Sequence, residues 1–174
     1  MDAKYFLGEL RLLISPDALR TNLRTLRRHL APTVRVCAVL KANAYGHGAK
    51  VIAQVLLQIE TESPFDRVDA FAVATFEEAD ELRELEKPVM ILRPVENAFL
   101  GRQRELIEHA ILNGWILTLR SASAADDIAR IAMHLQKRAS VQLRVDTGMR
   151  RCGVAYDEFA HVLERTLHHP TLRL

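Results

Sequence analysis

The sequence contains little of what marks the specialised classes of protein. It has 7 glycines, 6 prolines and 2 cysteines among 174 residues, which excludes collagen-like, low-complexity and disulfide-dense chains. No apolar run approaches the roughly 20 residues that a membrane-spanning helix needs. The two cysteines, Cys37 and Cys152, lie far apart and match no metal-ligand spacing. We therefore expect a compact globular protein without a metal site.

Charge of either sign is also not in excess. The chain has 24 Lys and Arg against 22 Asp and Glu, and a net charge of +2 gives no strong attraction to nucleic acid or to membranes. Residues 1–6 include an acid and are not followed by a long apolar stretch with a cleavage site, which argues against a signal peptide. These features, with the low cysteine content, predict a cytoplasmic protein that binds neither nucleic acid nor membrane.

Hydrophobic periodicity predicts that helices and strands alternate. Ser15, Pro16 and Asp17 have the residue types expected at the N-cap and first turn of a helix, and leucines then recur at helical spacing to residue 30. Residues 34–40 form an almost wholly apolar run, typical of a strand buried on both faces. Further strands are predicted at residues 68–73, 88–92, 115–119, 141–145 and from 172, with helices at 48–60, 76–87, 100–112, around 128–135 and at 159–167.

This alternation predicts an α/β fold with parallel strands and right-handed crossovers. Two architectures fit, a doubly wound open sheet and part of a (β/α)8 barrel. The chain supplies about five to six βα units, whereas a closed barrel needs eight units and typically about 250 residues. No linker or low-complexity tract divides it, so we expect one domain.

One segment with chemical potential is residues 38–48, Ala-Val-Leu-Lys-Ala-Asn-Ala-Tyr-Gly-His-Gly. It places Lys41 at the carboxyl end of a buried strand, the edge where α/β proteins bind ligands. An amine withdrawn from water favours its neutral form and can form a Schiff base with a carbonyl compound. The glycines allow close backbone approach, and the helix that begins near Gly48 could offer its amide groups to a ligand. The alternative is a solvated lysine above an ordinary turn.

A second segment, residues 143–154, follows another predicted strand. It contains Arg144, Asp146 and Arg151 at the same edge of the sheet as Lys41. Arginine presents a planar fork that suits a carboxylate, so these side chains could bind an anion. The alternative is a polar loop in which Asp146 accepts from backbone amides and the arginines are solvated.

Both segments resemble signatures of one family. Residues 41–48 resemble, almost residue for residue, the segment around the cofactor lysine of alanine racemases, which use pyridoxal 5′-phosphate (PLP). Residues 146–153, Asp-Thr-Gly-Met followed by Arg-x-Gly, are similar to that family's second signature. Weaker similarity in residues 71–83 and 88–92 extends the likeness from about residue 10 to the end.

The resemblance implies a PLP-binding (β/α)8 barrel, a following β-rich domain and a homodimer. Residues 1–174 would then be an incomplete N-terminal barrel domain, with the β-domain absent. The implied activity is interconversion of L- and D-alanine, which supplies D-alanine for peptidoglycan.

The resemblance also implies roles for individual residues. Lys41 would bind PLP as a Schiff base and act as one acid–base group at the substrate Cα. Tyr45 would contact the cofactor phosphate, and Arg151 the phenolic oxygen of PLP and the substrate carboxylate. Arg144 stands where many members carry a carbamylated lysine that steadies this arginine, and Asp146 would support the loop. Arginine does not take that modification in the usual way, so how Arg151 is held stays open.

The resemblance implies that the opposing acid–base tyrosine comes from the partner's second domain, which would lie outside residues 1–174. Two other functions therefore stay open: a non-catalytic PLP-binding protein or degenerate remnant, and a racemase for serine or a broader range of amino acids. Because five or six units leave sheet edges unpaired, we also expect the chain alone to be marginally stable or prone to aggregate.

The remaining candidate functional residues give weaker indications of function. The histidines other than His47 are dispersed or adjacent without ligand spacing. Arg24, Arg27 and Arg28 are expected to form a solvated basic face on the first helix, since no tryptophan or tyrosine is interleaved with them. Cys152 is expected to be a packing residue.

Overall fold

The computed structural model describes residues 12–174, and the N-terminal residues 1–6 considered above lie outside this range. The strands are β1 (Cys37–Val39), β2 (Ala70–Val73), β3 (Val89–Pro94), β4 (Ile116–Leu119), β5 (Ala139–Leu143) and β6 (Leu172–Arg173). The helices are α1 (Pro16–Arg28), α2 (Lys41–Tyr45), α3 (Ala49–Glu62), α4 (Phe76–Asp80), α5 (Gln103–Leu112), α6 (Ala122–His134) and α7 (Phe159–Leu167).

All six strands lie in one parallel sheet, in the sequential order β1-β2-β3-β4-β5-β6. A doubly wound sheet instead reverses its strand order part-way across. The sequential order confirms the alternative of a (β/α)8-type barrel, of which this chain forms part. Within residues 12–174, β1 and β6 each pair with a neighbour on one side only.

The two faces of the sheet differ in burial. Side chains on the helix-covered face, such as Phe71, Ile91 and Leu117, are fully buried. On the opposite, concave face, Cys37 is exposed and Val39 keeps 43% of its surface accessible. The prediction that the first strand is buried on both faces was therefore wrong, because nothing in the described part of the chain covers the concave side of β1.

Two elements are much shorter than their patterns predict. The helix predicted at 76–87 ends at Asp80. The chain after it forms tight turns, in which the amides of Leu82 and Leu85 donate to carbonyls three residues back. Pro88 disfavours helical backbone at Lys87, which limits the helix from its other end. The strand predicted at 34–40 begins only at Cys37.

The late start of β1 is explained by an ion pair at the amino-terminal side of the sheet. The guanidinium of Arg27 donates to Asp69 at 2.8 Å and to the carbonyls of Val34 and Arg67. Asp69 also accepts from the Val36 amide at 2.7 Å. Residues 34–36 thus bond partly to this pair, which we call the Arg27 clasp.

The Arg27 clasp corrects the expectation of a solvated basic face, because Arg27 is 5% exposed. Burial alone would raise the pKa of the Asp69 carboxyl, but hydrogen bonds from Val36 and Arg27 outweigh it and hold that pKa below its ordinary value. Helix α1 is thereby tied to the starts of β1 and β2. Its other end begins as predicted, since the Ser15 hydroxyl accepts from the Ala18 amide at 3.2 Å.

Within residues 12–174, no helix combines the length and apolarity needed to cross a membrane. The same residues contain no group of three or more His, Cys, Asp or Glu side chains placed to hold a metal ion.

Removing the Arg27 guanidinium is expected to destabilise the fold strongly. In Arg27→Met, the partly buried Asp69 keeps its ion pair with Arg67 but loses the Arg27 guanidinium, and the carbonyls of Val34 and Arg67 lose their donor. The cost should therefore lie somewhat below the roughly 3–5 kcal/mol of a buried charge left without any partner. Urea unfolding followed by circular dichroism measures the loss, with Arg28→Met as the control because Arg28 is exposed on the same helix. Equal unfolding midpoints for the two variants would contradict the role of the Arg27 clasp.

Candidate functional site

The carboxyl ends of the strands surround a cavity of about 810 Å³. Lys41 lines it from the end of β1, Ala74 from the end of β2, and Leu92 from β3. Arg144 and Arg151 line it from the segment after β5. The parallel sheet therefore brings both sequence motifs, which lie about a hundred residues apart, to one cavity, as the motif positions predicted.

Lys41 begins a turn with unusual backbone geometry. Ala42, Asn43, Ala44 and Tyr45 all have left-handed φ angles of 51–55°. The Ala44 amide donates to the Leu40 carbonyl at 2.7 Å, so α2 is a single left-handed helical turn. L-residues in this conformation each cost roughly 1–2 kcal/mol. Such a turn forms only where surrounding contacts hold it.

Side chains supply those contacts. The Glu78 carboxylate accepts from the Ala42 amide at 2.9 Å and from the Ala74 amide at 2.6 Å. The Asn43 side-chain oxygen accepts from the Ala49 amide at 2.7 Å. The expected role of the α3 N-terminus in offering amides to a ligand is thus reduced, because Asn43 already occupies its first amide.

Lys41 lines the cavity and has no acidic partner among the described residues. Among residues 12–174 it makes no ion pair, and its contact is with the Tyr45 ring, whose centroid lies 5.8 Å away. Tyr45 is 63% exposed and is not among the residues that line the cavity. Its predicted contact with a phosphate stays a prediction.

Arg144 is held across the sheet. Its Nη1 donates to the Leu92 carbonyl on β3 at 3.2 Å, and its backbone carbonyl accepts from the Val154 amide. Arg151 lines the same cavity and forms no side-chain hydrogen bond or ion pair within the described part of the chain. The two guanidiniums are therefore brought to one cavity, where Arg151 is available to an anion.

Asp146 organises the loop between these arginines. Its Oδ1 accepts from the amides of Gly148 and Arg150, each at 2.9 Å. The Arg150 and Gly148 hydrogen bonds hold the pKa of the Asp146 carboxyl below its ordinary value. Asp146 thus holds the loop by accepting from backbone amides, as the polar-loop alternative predicted. Arg151 nevertheless lines the cavity.

The backbone around Gly153 explains why the Arg-x-Gly string ends in glycine. A Cβ at Gly153 would lie 2.3 Å from the Asp146 nitrogen and 2.5 Å from the Val145 carbonyl carbon. Here the chain passes so close to itself that Val145 and Val154 form an isolated parallel bridge. Cys152, expected only to pack, lines the cavity.

Two hydrogen-bonded polar side chains, Gln142, which lines the cavity, and Thr118, were not predicted from the sequence. Gln142 donates to the Thr118 hydroxyl at 2.7 Å, and that hydroxyl donates to the Ile91 carbonyl at 2.6 Å. Thr118 is fully buried. The signal was present as polar residues inside mainly apolar strands, Thr118 in β4 and Gln142 in β5, because a polar side chain in a buried strand needs a partner.

The charge of the cavity suits an anionic ligand. Four cationic residues line it, Lys41, Arg93, Arg144 and Arg151, against one acid, Glu96. Glu96 pairs at 2.8 Å with Arg120, which does not line this cavity. A phosphate or carboxylate would find unneutralised positive charge here, with the guanidinium fork suited to either.

Comparison with known proteins decides the family. The model of the alanine racemase N-terminal domain matches residues 14–174. This chain belongs to that family. The alanine racemase of Chlorobaculum tepidum is 37% identical over 162 residues, which is 93% of this chain and 40% of that protein. That of Desulforamulus reducens is 35% identical over 147 residues, 83% of this chain and 36% of that protein.

Solved structures of alanine racemases agree with the barrel-type sheet. The enzyme of Clostridium difficile 630 superposes with a TM-score of 0.78 at 30% identity, over 91% of this chain and 38% of that chain. Its complex with cycloserine gives the same TM-score over 40% of that chain. The chain thus spans 36–40% of the length of these alanine racemases.

We expect Gly153→Ala to disrupt the loop that carries Arg151. The added Cβ would overlap backbone atoms, which cannot move aside as a flexible side chain can, so residues 146–153 must rearrange. Hydrogen exchange of this loop, measured by mass spectrometry, should accelerate in Gly153→Ala. It should stay unchanged in Ala155→Ser, which enlarges an exposed neighbour. Unchanged exchange in Gly153→Ala would show that the close approach is not needed.

Proposed function

We propose that residues 1–174 form the PLP-binding barrel portion of a cytoplasmic alanine racemase, in which Lys41 holds the cofactor. The observation that carries this proposal is the position of Lys41, which lines a cationic cavity at the carboxyl edge of the sheet. Family membership supports it independently, since the relatives named above are alanine racemases.

The side chains present fit PLP. The cofactor carries an aldehyde, which a lysine amine can attack, together with phosphate and phenolic oxygens, which require cations. Lys41 supplies the amine, while Arg144 and Arg151 supply guanidiniums that line the same cavity. When bound, PLP delocalises the negative charge that develops at the Cα of an amino acid as its proton leaves.

The residues of this chain would then divide the work. Lys41 would hold the cofactor and exchange a proton at one face of Cα. Arg151 would bind the substrate carboxylate and the phenolic oxygen, since its guanidinium is otherwise unpaired within residues 12–174. Arg144, anchored to the Leu92 carbonyl, would support the charge of that region, and Asp146 would keep the loop of Arg151 in place. Tyr45, beside Lys41, would turn toward the phosphate.

Racemisation requires proton exchange on both faces of Cα, and Lys41 serves only one of them. We propose that the opposing group comes from a second subunit of a homodimer, as the family resemblance implies. A non-catalytic PLP-binding protein is the second candidate, favoured by the presence of a single amine, Lys41, among the residues that line the cavity.

Lys41→Ala is expected to abolish covalent capture of PLP. The purified chain is incubated with PLP and reduced with borohydride, and the modified peptide is identified by mass spectrometry. Wild type and Lys50→Ala should carry one cofactor on the peptide that contains Lys41, because Lys50 is exposed and pairs with Glu84. Capture that is equal in Lys41→Ala and wild type would refute the cofactor assignment.

A site that exchanges the proton on one face of Cα should behave differently from a site that serves both faces. With PLP and alanine in deuterium oxide, Lys41 should catalyse exchange of the Cα proton in one enantiomer faster than racemisation appears. Nuclear magnetic resonance measures the exchange, and chiral chromatography measures the product. Capture of PLP with neither exchange nor racemisation would favour the non-catalytic binder. Racemisation as fast as exchange by the monomeric chain would contradict a one-sided site, whereas in a dimer it would support the opposing group proposed above.

A further inference from the structure

Glu78 joins the ends of two neighbouring strands. One carboxylate oxygen accepts from the amide of Ala42, the residue directly after Lys41, at 2.9 Å. The other oxygen accepts from Ala74, directly after β2, at 2.6 Å. Glu78 itself lies on α4, so one side chain connects the turn after β1, the end of β2 and the following helix.

Part of this arrangement belongs to ordinary helix capping. Thr75 is the N-cap of α4 and its hydroxyl accepts from the Glu78 amide, so the Thr75-x-x-Glu78 spacing is that of a capping box. A capping glutamate returns to the backbone at the start of its own helix, and the bond to Ala74, the residue before the Thr75 N-cap, is of this local kind. Capping does not account for the bond to Ala42, which is 36 residues away in sequence and lies in a different element.

The bond to Ala42 meets a need of the left-handed turn. The turn comprises Ala42, Asn43, Ala44 and Tyr45, four consecutive residues other than glycine with φ angles that disfavour L-residues. Ala42 is the first of them, so its amide lies where the chain leaves the strand direction. A carboxylate acceptor bonds to an amide more strongly than a neutral one does, which favours this conformation over a relaxed alternative.

We propose that Glu78 is a positioning residue for Lys41. Its carboxylate holds the Ala42 amide and thereby sets the direction in which the Lys41 side chain leaves β1, toward the cavity and its arginines. It acts through the backbone and does not touch the cofactor. The consequence for cofactor capture rests on the function proposed above, whereas the consequence for the turn does not.

The role requires two acceptor oxygens, which distinguishes a carboxylate from an amide of the same shape. In Glu78→Gln, the side-chain nitrogen can only donate, so one of the two backbone amides loses its acceptor. A purely steric role would be preserved by glutamine. If the carboxylate matters, Glu78→Gln should behave like Glu78→Ala.

The first test measures hydrogen exchange of residues 40–48 and 74 by nuclear magnetic resonance, without cofactor. Loss of a hydrogen bond to a charged group should accelerate exchange of the Ala42 or Ala74 amide about tenfold to a hundredfold in Glu78→Gln. Glu81→Gln is the matched control, since Glu81 is exposed and follows the same short helix. Exchange of the backbone amides of α6, which lies far from β1 and β2, shows whether each variant is folded.

The second test measures PLP capture by the same variants. Covalent capture at Lys41, followed as above by reduction and mass spectrometry, should slow in Glu78→Gln and Glu78→Ala but not in Glu81→Gln. Visible absorbance during PLP titration gives an independent measure of the linkage.

The outcomes separate the two proposals. Wild-type exchange at Ala42 and Ala74 in a folded Glu78→Gln would overturn the positioning role, whatever happens to PLP. Accelerated exchange with undiminished capture would also overturn it, because the turn would then not direct Lys41. If wild type captures no PLP at Lys41, the function proposed above fails, while the exchange data still report on the turn.

Discussion

The parallel register of the strands is the constraint on which the cavity depends. Val39 pairs with Ala72, and Ala72 with Met90, so these residues face the same side of the sheet. Two residues further along each strand, Lys41, Ala74 and Leu92 all line the cavity. A slip of one residue would turn each of these side chains toward the helices. The apolar face that the helices cover therefore determines where the polar groups of the opposite face meet.

Contacts around the turn after β1 then determine how Lys41 is oriented. The left-handed turn after β1 costs roughly 4–8 kcal/mol for its four residues, by the usual penalty per residue. This cost is comparable with the total stability of a typical domain, about 5–15 kcal/mol. Contacts from Glu78 and Asn43, together with burial of Ala44, are what offset it. The orientation of Lys41 consequently depends on contacts between the carboxyl ends of β1 and β2, and not on its own segment alone.

The sequence predicted features that depend on local pattern. Alternating periodicity located all six strands, and the motifs placed Lys41 and Arg151 at one edge because parallel strands end together. Features that depend on contacts distant in sequence were not predictable from one chain. The burial of Arg27 depends on Asp69, and the turn after Lys41 depends on Glu78. Each partner is an ordinary surface residue type, so nothing in composition or spacing distinguishes it from a solvated one.

The charge of the cavity connects its architecture to ligand binding. Lys41, Arg93, Arg144 and Arg151 line one space, and the acid that lines it with them is already paired with Arg120. Like charges held together oppose folding, and an anion that enters relieves this repulsion only in the folded state. A ligand at a hundred times its dissociation constant adds about 2.7 kcal/mol to stability. An anionic ligand would therefore also stabilise the sheet edge that carries Lys41, so that binding and folding of this edge are linked.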